Sequence, residues 1–248
     1  MTKTSLWLLS SEARIDRLLG NEENIVRGKH LQQQEKVLII QVLKQLRRIA
    51  GVLMLLAALL AAATLIFKQH CPASGFAFSS ERRKLHRLKN RTAIPQLADF
   101  DTSVTLQKML QPGDDINRWS MTRAARIDGY VVSIAKGPLE LSNCYVPCNR
   151  DIHIHVGLRP DAPPREQVVL EITPRMQEWA RHQGRDWSAE TLRGEMLSHW
   201  CSFEGWLLYD SHHAAEAENS APGRAGNWRA TAWEIHPITG FTITTRPR

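Results

Sequence analysis

The sequence predicts a mainly β domain with α additions, a small Greek-key barrel in the order β-β-β-α-β-β, behind one N-terminal transmembrane helix. Three observations lead there. Residues 49–67 read IAGVLMLLAALLAAATLIF, nineteen residues without a charge, and at 1.5 Å per helical residue they just cross a hydrocarbon core of ~30 Å. From Arg126 the chain changes to short runs rich in β-branched and aromatic residues, divided by turn residues. Between the third and fourth runs stand two helix-start signals, Pro174 and Ser188.

Four regions follow: an N-terminal helical arm (1–48), the span (49–67), a basic tether (68–125) and the barrel domain (126–248). In the arm, Ser10 and Ser11 ahead of Glu12 start a helix with Ile15, Leu18 and Leu19 on one face, and Gly20 ends it. A second helix begins near Glu22 and carries Ile39, Val42, Leu43 and Leu46 at three-to-four spacing into the span. That stripe serves either a homodimer through residues 31–49 or a helix lying on lipid; fewer than three clean heptads favour the lipid. Ala61-Ala62-Ala63 has the look of a signal-peptidase site, but the 48 residues ahead of the run exceed any short basic leader.

The net charge of +7 is unevenly placed. Residues 1–67 hold nine Lys/Arg against five Asp/Glu, residues 68–125 ten against five, and residues 126–248 thirteen against fifteen. The basicity sits beside the lipid bilayer and the barrel domain is slightly acidic, which speaks against a positive groove for nucleic acid. Lys44, Arg47 and Arg48 flank the span on its N-terminal side, so the C-terminal domain is expected outside the cytoplasm of a single-pass cell-membrane protein. Against that stands RRKLHRLKNR at 82–91, a cluster suited to anionic lipid. Four cysteines are too few for a disulfide scaffold, although Cys144 and Cys148 are spaced to bridge.

The tether is punctuated by Pro72, Gly75, Pro95, Pro112 and Gly113, with one helix expected at 103–110 behind Thr102. In the domain, strands are expected at 129–135, 152–158, 168–173, 203–209 and 228–237, with helices at 175–183 and 189–195. Three strands, a helical stretch and two strands is the order of the OB-fold.

GWLLYDSHH at 205–213 and NWRATAWEIHPIT at 227–239 carry a resemblance. They are similar to the end of a group of uncharacterised bacterial membrane-anchored proteins with an OB-like domain, which share a G-W-L-[LF]-[YF]-D … R-A-T-x-W-E-[IV]-H-P-[IV]-T pattern. ARIDGYVVSI and RDIHIHVGLRPDAP resemble earlier segments of that group. The likeness covers about residues 90–243 and implies the barrel, without an activity or a catalytic residue.

The sharpest chemical pattern is Asp151-Ile152-His153-Ile154-His155-Val156. A period of two puts Asp151, His153 and His155 on one face and the aliphatic residues on the other. In the last strand Glu234 and His236 share a face opposite Trp233 and Ile235. Outward histidines on a strand are ordinarily solvated, so no cofactor is expected; if the two polar faces meet, His153, His155 and His236 supply imidazoles suited to zinc or another divalent transition metal. Cys144, Cys148 and His153 are a second, poorly spaced set. No nucleophile elbow or phosphate loop accompanies the serines. Eight tryptophans exceed what a small barrel buries, leaving rings for a protein or glycan partner. The expected function is a membrane-tethered, non-catalytic binding module. The alternatives are a metal-dependent hydrolase using Asp151, His153, His155 and His236, and a single-strand nucleic-acid binder by fold analogy alone.

Overall fold

The computed structural model describes the backbone of residues 3–245 and the side chains of residues 32–34, 36–66 and 71–245. Two compact units divide the chain, Met1–Ala63 and Thr64–Arg248. Helix α1 (Lys3–His70) is 68 residues long. It runs through Gly20, where the sequence suggests a stop; one interior glycine costs only ~1 kcal/mol against alanine, too little to end a long helix. The face of Ile15, Leu18 and Leu19 lies outside the described side chains. Within α1, Gln32–Ile66 is long and apolar enough to cross a membrane. Ile39, Val42, Leu43 and Leu46, the stripe expected to meet a copy or lipid, are all exposed.

The second unit is built on five strands, β1 (Ala124–Lys136), β2 (Ile152–Gly157), β3 (Val168–Ile172), β4 (Trp200–Tyr209) and β5 (Trp233–Thr244). They close into a barrel in the order β1-β2-β3-β5-β4. The long first strand makes closure possible. Its first half pairs with β4 and its second half with β2, both antiparallel, and a register shift between Val131 and Ser133 marks the bend. Strand β3 pairs antiparallel with β2 and meets β5 in parallel at Leu170 and Ile235. The expected class, mainly β with α additions, is what the chain adopts.

Period-two alternation sends Ile152, Ile154 and Val156 inward, where they join Leu170, Ile172, Phe203, Trp233 and Ile235 in one core. Two helices between β3 and β4 contribute to it. Thr173 caps α4 (Pro174–His182), with proline in its first turn, and Ser188 caps α5 (Ala189–Met196). Met176, Ala180, Leu192 and Met196 turn from these helices into the core.

The last strand departs from expectation at both ends. It starts at Trp233 and continues through Pro237 to Thr244. Ile235 pairs with Leu207 and Ile238 with Gly205, so His236 and Pro237 together face the single residue Trp206. This is a β-bulge, and it places a proline, which has no N–H, where the ladder is already interrupted.

Residues 68–125 hold more structure than a tether requires. Ser79 caps α2 (Ser80–Lys89), whose His86 and Lys89 are buried. Thr105, three residues beyond the cap expected at Thr102, starts a single turn, α3 (Leu106–Met109), that adds Leu106 and Met109 to the core. Arg91 donates to the carbonyls of Met121 and Leu207, and Asn90 to those of Ala73 and Ser142. The carboxylate of Asp115, fully buried, accepts from Thr231 Oγ1 and the Ala232 N–H, while its carbonyl takes Trp233 Nε1 at 2.7 Å. Cys144 does not take the bridge to Cys148 that its spacing allows; it pairs with Cys71, closing a loop across 73 positions. Cys148 is exposed and free, and Cys201 is buried and free. Spacing favours near partners; here the folded segment 71–144 brings the distant one.

Candidate functional site

Asp151, His153, Glu234 and His236 come together on the outer face of β2, β3 and β5, and the residue that joins them is Glu171. The β2–β3 register sets His153 opposite Glu171. His153 Nε2 lies 3.3 Å from Glu171 Oε1, and His236 Nδ1 lies 3.1 Å from Glu171 Oε2. One carboxylate therefore separates two imidazoles from strands that are not neighbours. His236 Nδ1 is also 3.1 Å from Glu234 Oε2, and Arg229 Nη2 donates to Glu234 Oε1 at 2.6 Å. Asn143 Nδ2 donates to Asp151 Oδ2 at 3.1 Å. His155 stands apart: its ring packs 5.9 Å from that of Trp228 and it joins no group of potential ligands among the described residues.

The parity expected for these strands holds, but the exposure does not. A strand residue that points away from a barrel interior ordinarily meets solvent, and these do not. Glu234 and His236 are fully buried, and Asp151 and Glu171 are only 2% exposed. Segments remote in sequence cover them. Ala230 bonds through its N–H to the Gln167 carbonyl, carrying the chain after β4 across the outside of β3. Lys89, from the end of α2, reaches Glu140 at 3.4 Å and Asp210 at 3.0 Å. Strand β3 is consequently buried on both faces.

Burial dominates the electrostatics. It pushes Asp151 up to about 6 against the pull of the nearby His236, and it drives His153 down to about 4. Glu171 is raised well above the usual carboxylate range, by burial and then by the negative charge of Glu234. Burial would raise Glu234 too, yet the Arg229 guanidinium holds it at about 2. Gly137 keeps the space that the His153 ring fills, since a Cβ there would collide with Nε2.

Glu171, Lys89, Glu140, Asp210 and Arg229 are absent from the sequence-derived site. Glu171 had a signal, since alternation in Val168–Ile172 sets it opposite Leu170 and Ile172. Glu140, Asp210 and Arg229 sit in irregular segments without periodicity, and Lys89 ends a helix in the stretch taken for a tether. The second set, Cys144 and Cys148 with His153, is overturned because Cys144 is committed to Cys71.

A separate cleft lies against α4. It has a volume of about 830 Å³ and is lined by Trp179, Trp187, Arg175, Arg181, Arg185 and Asn149, among others. Arg185 stacks 5.8 Å from the Trp179 ring centre, and the two tryptophans are 5.7 Å apart. Glu178 engages Arg181, and Arg175 donates to the Cys71 carbonyl at 2.6 Å. No family model, curated protein or solved structure matches this chain.

Proposed function

We propose that this chain is a single-pass membrane protein that displays an OB-like barrel in an oxidising extracytoplasmic compartment and uses it as a non-catalytic binding module. The carrying observation is the division between a sealed ionisable cluster and an open cleft. Asp151, Glu171, Glu234 and His236 are at most 2% exposed, so a substrate has no path to them, whereas the cleft at α4 has the volume of a ligand site. The partly exposed Trp179 with Arg175, Arg181 and Arg185, which outnumber the carboxylates Glu178 and Asp186 in the same lining, suits an anionic, ring-bearing ligand, and we assign an acidic glycan.

Three further points support the reading. The closed five-stranded order, with β3 parallel to β5 and helices between β3 and β4, supports the OB-like reading. A Cys71–Cys144 disulfide belongs in an oxidising compartment, in keeping with Lys44, Arg47 and Arg48 on the other side of the span. The resemblance to bacterial membrane-anchored proteins fits the same placement.

The test titrates uronic-acid oligosaccharides against the full chain in detergent. Saturable binding lost in both Trp179→Ala and Arg185→Ala supports the module. Absence of binding, or cleavage of the oligosaccharides, overturns it.

A further inference from the structure

We propose that Asp151, Glu171 and His236 hold one divalent transition-metal ion of the zinc type, buried between the barrel and its covering segments. One potential ligand atom from each residue lies within 4.8 Å of the other two. In a tetrahedral zinc site with bonds of ~2.0–2.2 Å, ligand atoms stand about 3.4 Å apart. Small rotations of the side chains close that difference.

The second observation is independent of the grouping. Asp151 Oδ1, Glu171 Oε2, His153 Nε2 and His236 Nε2 are all buried and none has a hydrogen-bond partner. Contacts exist at 3.1 and 3.3 Å, but they are misaligned for hydrogen bonding. A buried polar atom left unpaired costs about 1–3 kcal/mol, so Asp151, Glu171 and His236, which group together, call for a shared partner. A cation supplies it.

His236 is arranged as metal-bound histidines are. With its proton on Nδ1 it donates to Glu234, which is fixed by Arg229, and Nε2 keeps a lone pair facing no other partner. Charge points the same way. Among the described residues Glu140, Asp151, Glu171, Asp210 and Glu234 gather about Lys89 and Arg229, and a divalent ion takes the place of the proton that burial otherwise keeps on Glu171. His153, in contact with the far oxygen of Glu171, groups with Glu140 rather than with Asp151 and His236, and so orients the Glu171 carboxylate. An imidazole beside two carboxylates favours an ion of the zinc type over calcium or magnesium, which take oxygen ligands. With its ligands buried and no access for substrate, the ion is structural. The site stands independently of the glycan cleft.

The full chain in detergent, stripped with chelator and dialysed, is titrated with Zn²⁺ alone while bound metal and melting temperature are measured. The expected result is one ion per chain with a raised melting temperature. Asp151→Asn and His236→Gln should abolish the stoichiometric ion, Glu234→Gln should weaken it ~10–100-fold, and His155→Ala and Cys148→Ser should leave it unchanged. Absence of stoichiometric zinc, or retention of the ion in Asp151→Asn and His236→Gln, overturns the site. Should those variants not fold, X-ray absorption of the zinc-loaded wild type decides. A shell of nitrogen and oxygen alone supports the assignment, and sulfur in the shell overturns it.

Discussion

Lys89 Nζ lies 3.0 Å from Asp210 Oδ2, with 5% and 0% of the two side chains exposed. The pair joins the end of α2, in the stretch that follows the apolar helix, to the residue after β4. Burial alone would push Lys89 down and Asp210 up. The charge of Asp210 wins at Lys89, and a hydrogen bond from His213 together with the Lys89 charge wins at Asp210. Such a pair is a poor source of net stability, but each half is costly without the other. Lys89→Met should therefore destabilise the chain by about 3–5 kcal/mol in urea unfolding. The double variant Lys89→Met/Asp210→Leu should be less destabilised than Lys89→Met. A double variant worse than the single would show that the pair is not what Lys89 contributes.

His213 adds a pH dependence to the same carboxylate. Its hydrogen bond to Asp210, with Nδ1 3.1 Å from Oδ2, raises its pKa above the ordinary 6.5 despite partial burial. A raised folded-state value means that the contribution is complete below pH 6.5 and fades as pH climbs through the folded value. The stability difference between the wild type and His213→Ala should shrink from pH 6 to pH 9. The contact of His213 with Trp228, ring centres 5.6 Å apart, is lost equally at every pH and sets a constant floor. A difference that is flat over that interval would refute the coupling.

The strands were legible because alternation is local. Ile152 and Ile154 against His153, or Trp233 and Ile235 against Glu234, can be assigned from neighbours alone. What covers the outward face was not legible. Asn143 and Arg229 come from stretches without period and Lys89 from the end of a short helix, placed by the Cys71–Cys144 link and by the Asp115 contacts with Thr231 and Ala232. Pro237 misled in the opposite direction. A proline ordinarily marks a strand end, and only the bulge opposite Trp206 lets this strand pass through it.

That bulge depends on Gly205. A Cβ at this position would run into the carbonyl oxygen of Pro237 and the Cα of Ile238, which are backbone atoms and cannot swing aside. Gly205→Ala should cost at least about 2 kcal/mol, as overpacking against rigid neighbours does. Gly194, in α5, has nothing within 4 Å of the same point. Gly194→Ala should stabilise by up to ~1 kcal/mol through helix propensity. Thermal melts of the two variants should move in opposite directions, and a shared direction would contradict the packing at the bulge.

The cysteine chemistry gives a test of how the segment after α1 is held. With Cys71 bonded to Cys144, the native unreduced chain offers only Cys148 to a water-soluble maleimide, since Cys201 is buried and its thiol is pushed up to about 11. Mass spectrometry should find one label before reduction and a bridged 71–144 peptide pair after proteolysis. Unfolding without reductant should expose Cys201 as the second label. A Cys144–Cys148 bridge would instead leave Cys71 reactive and protect Cys148, so the identity of the labelled peptide decides between the pairings. Closing a loop of 73 positions should be worth about 4 kcal/mol by the chain-entropy model. Cys71→Ser/Cys144→Ser should lower the urea midpoint by the corresponding amount while Cys148→Ser leaves it unchanged. If Cys148→Ser proved the more damaging change, the link between residues 71 and 144 would not be what holds this segment to the barrel.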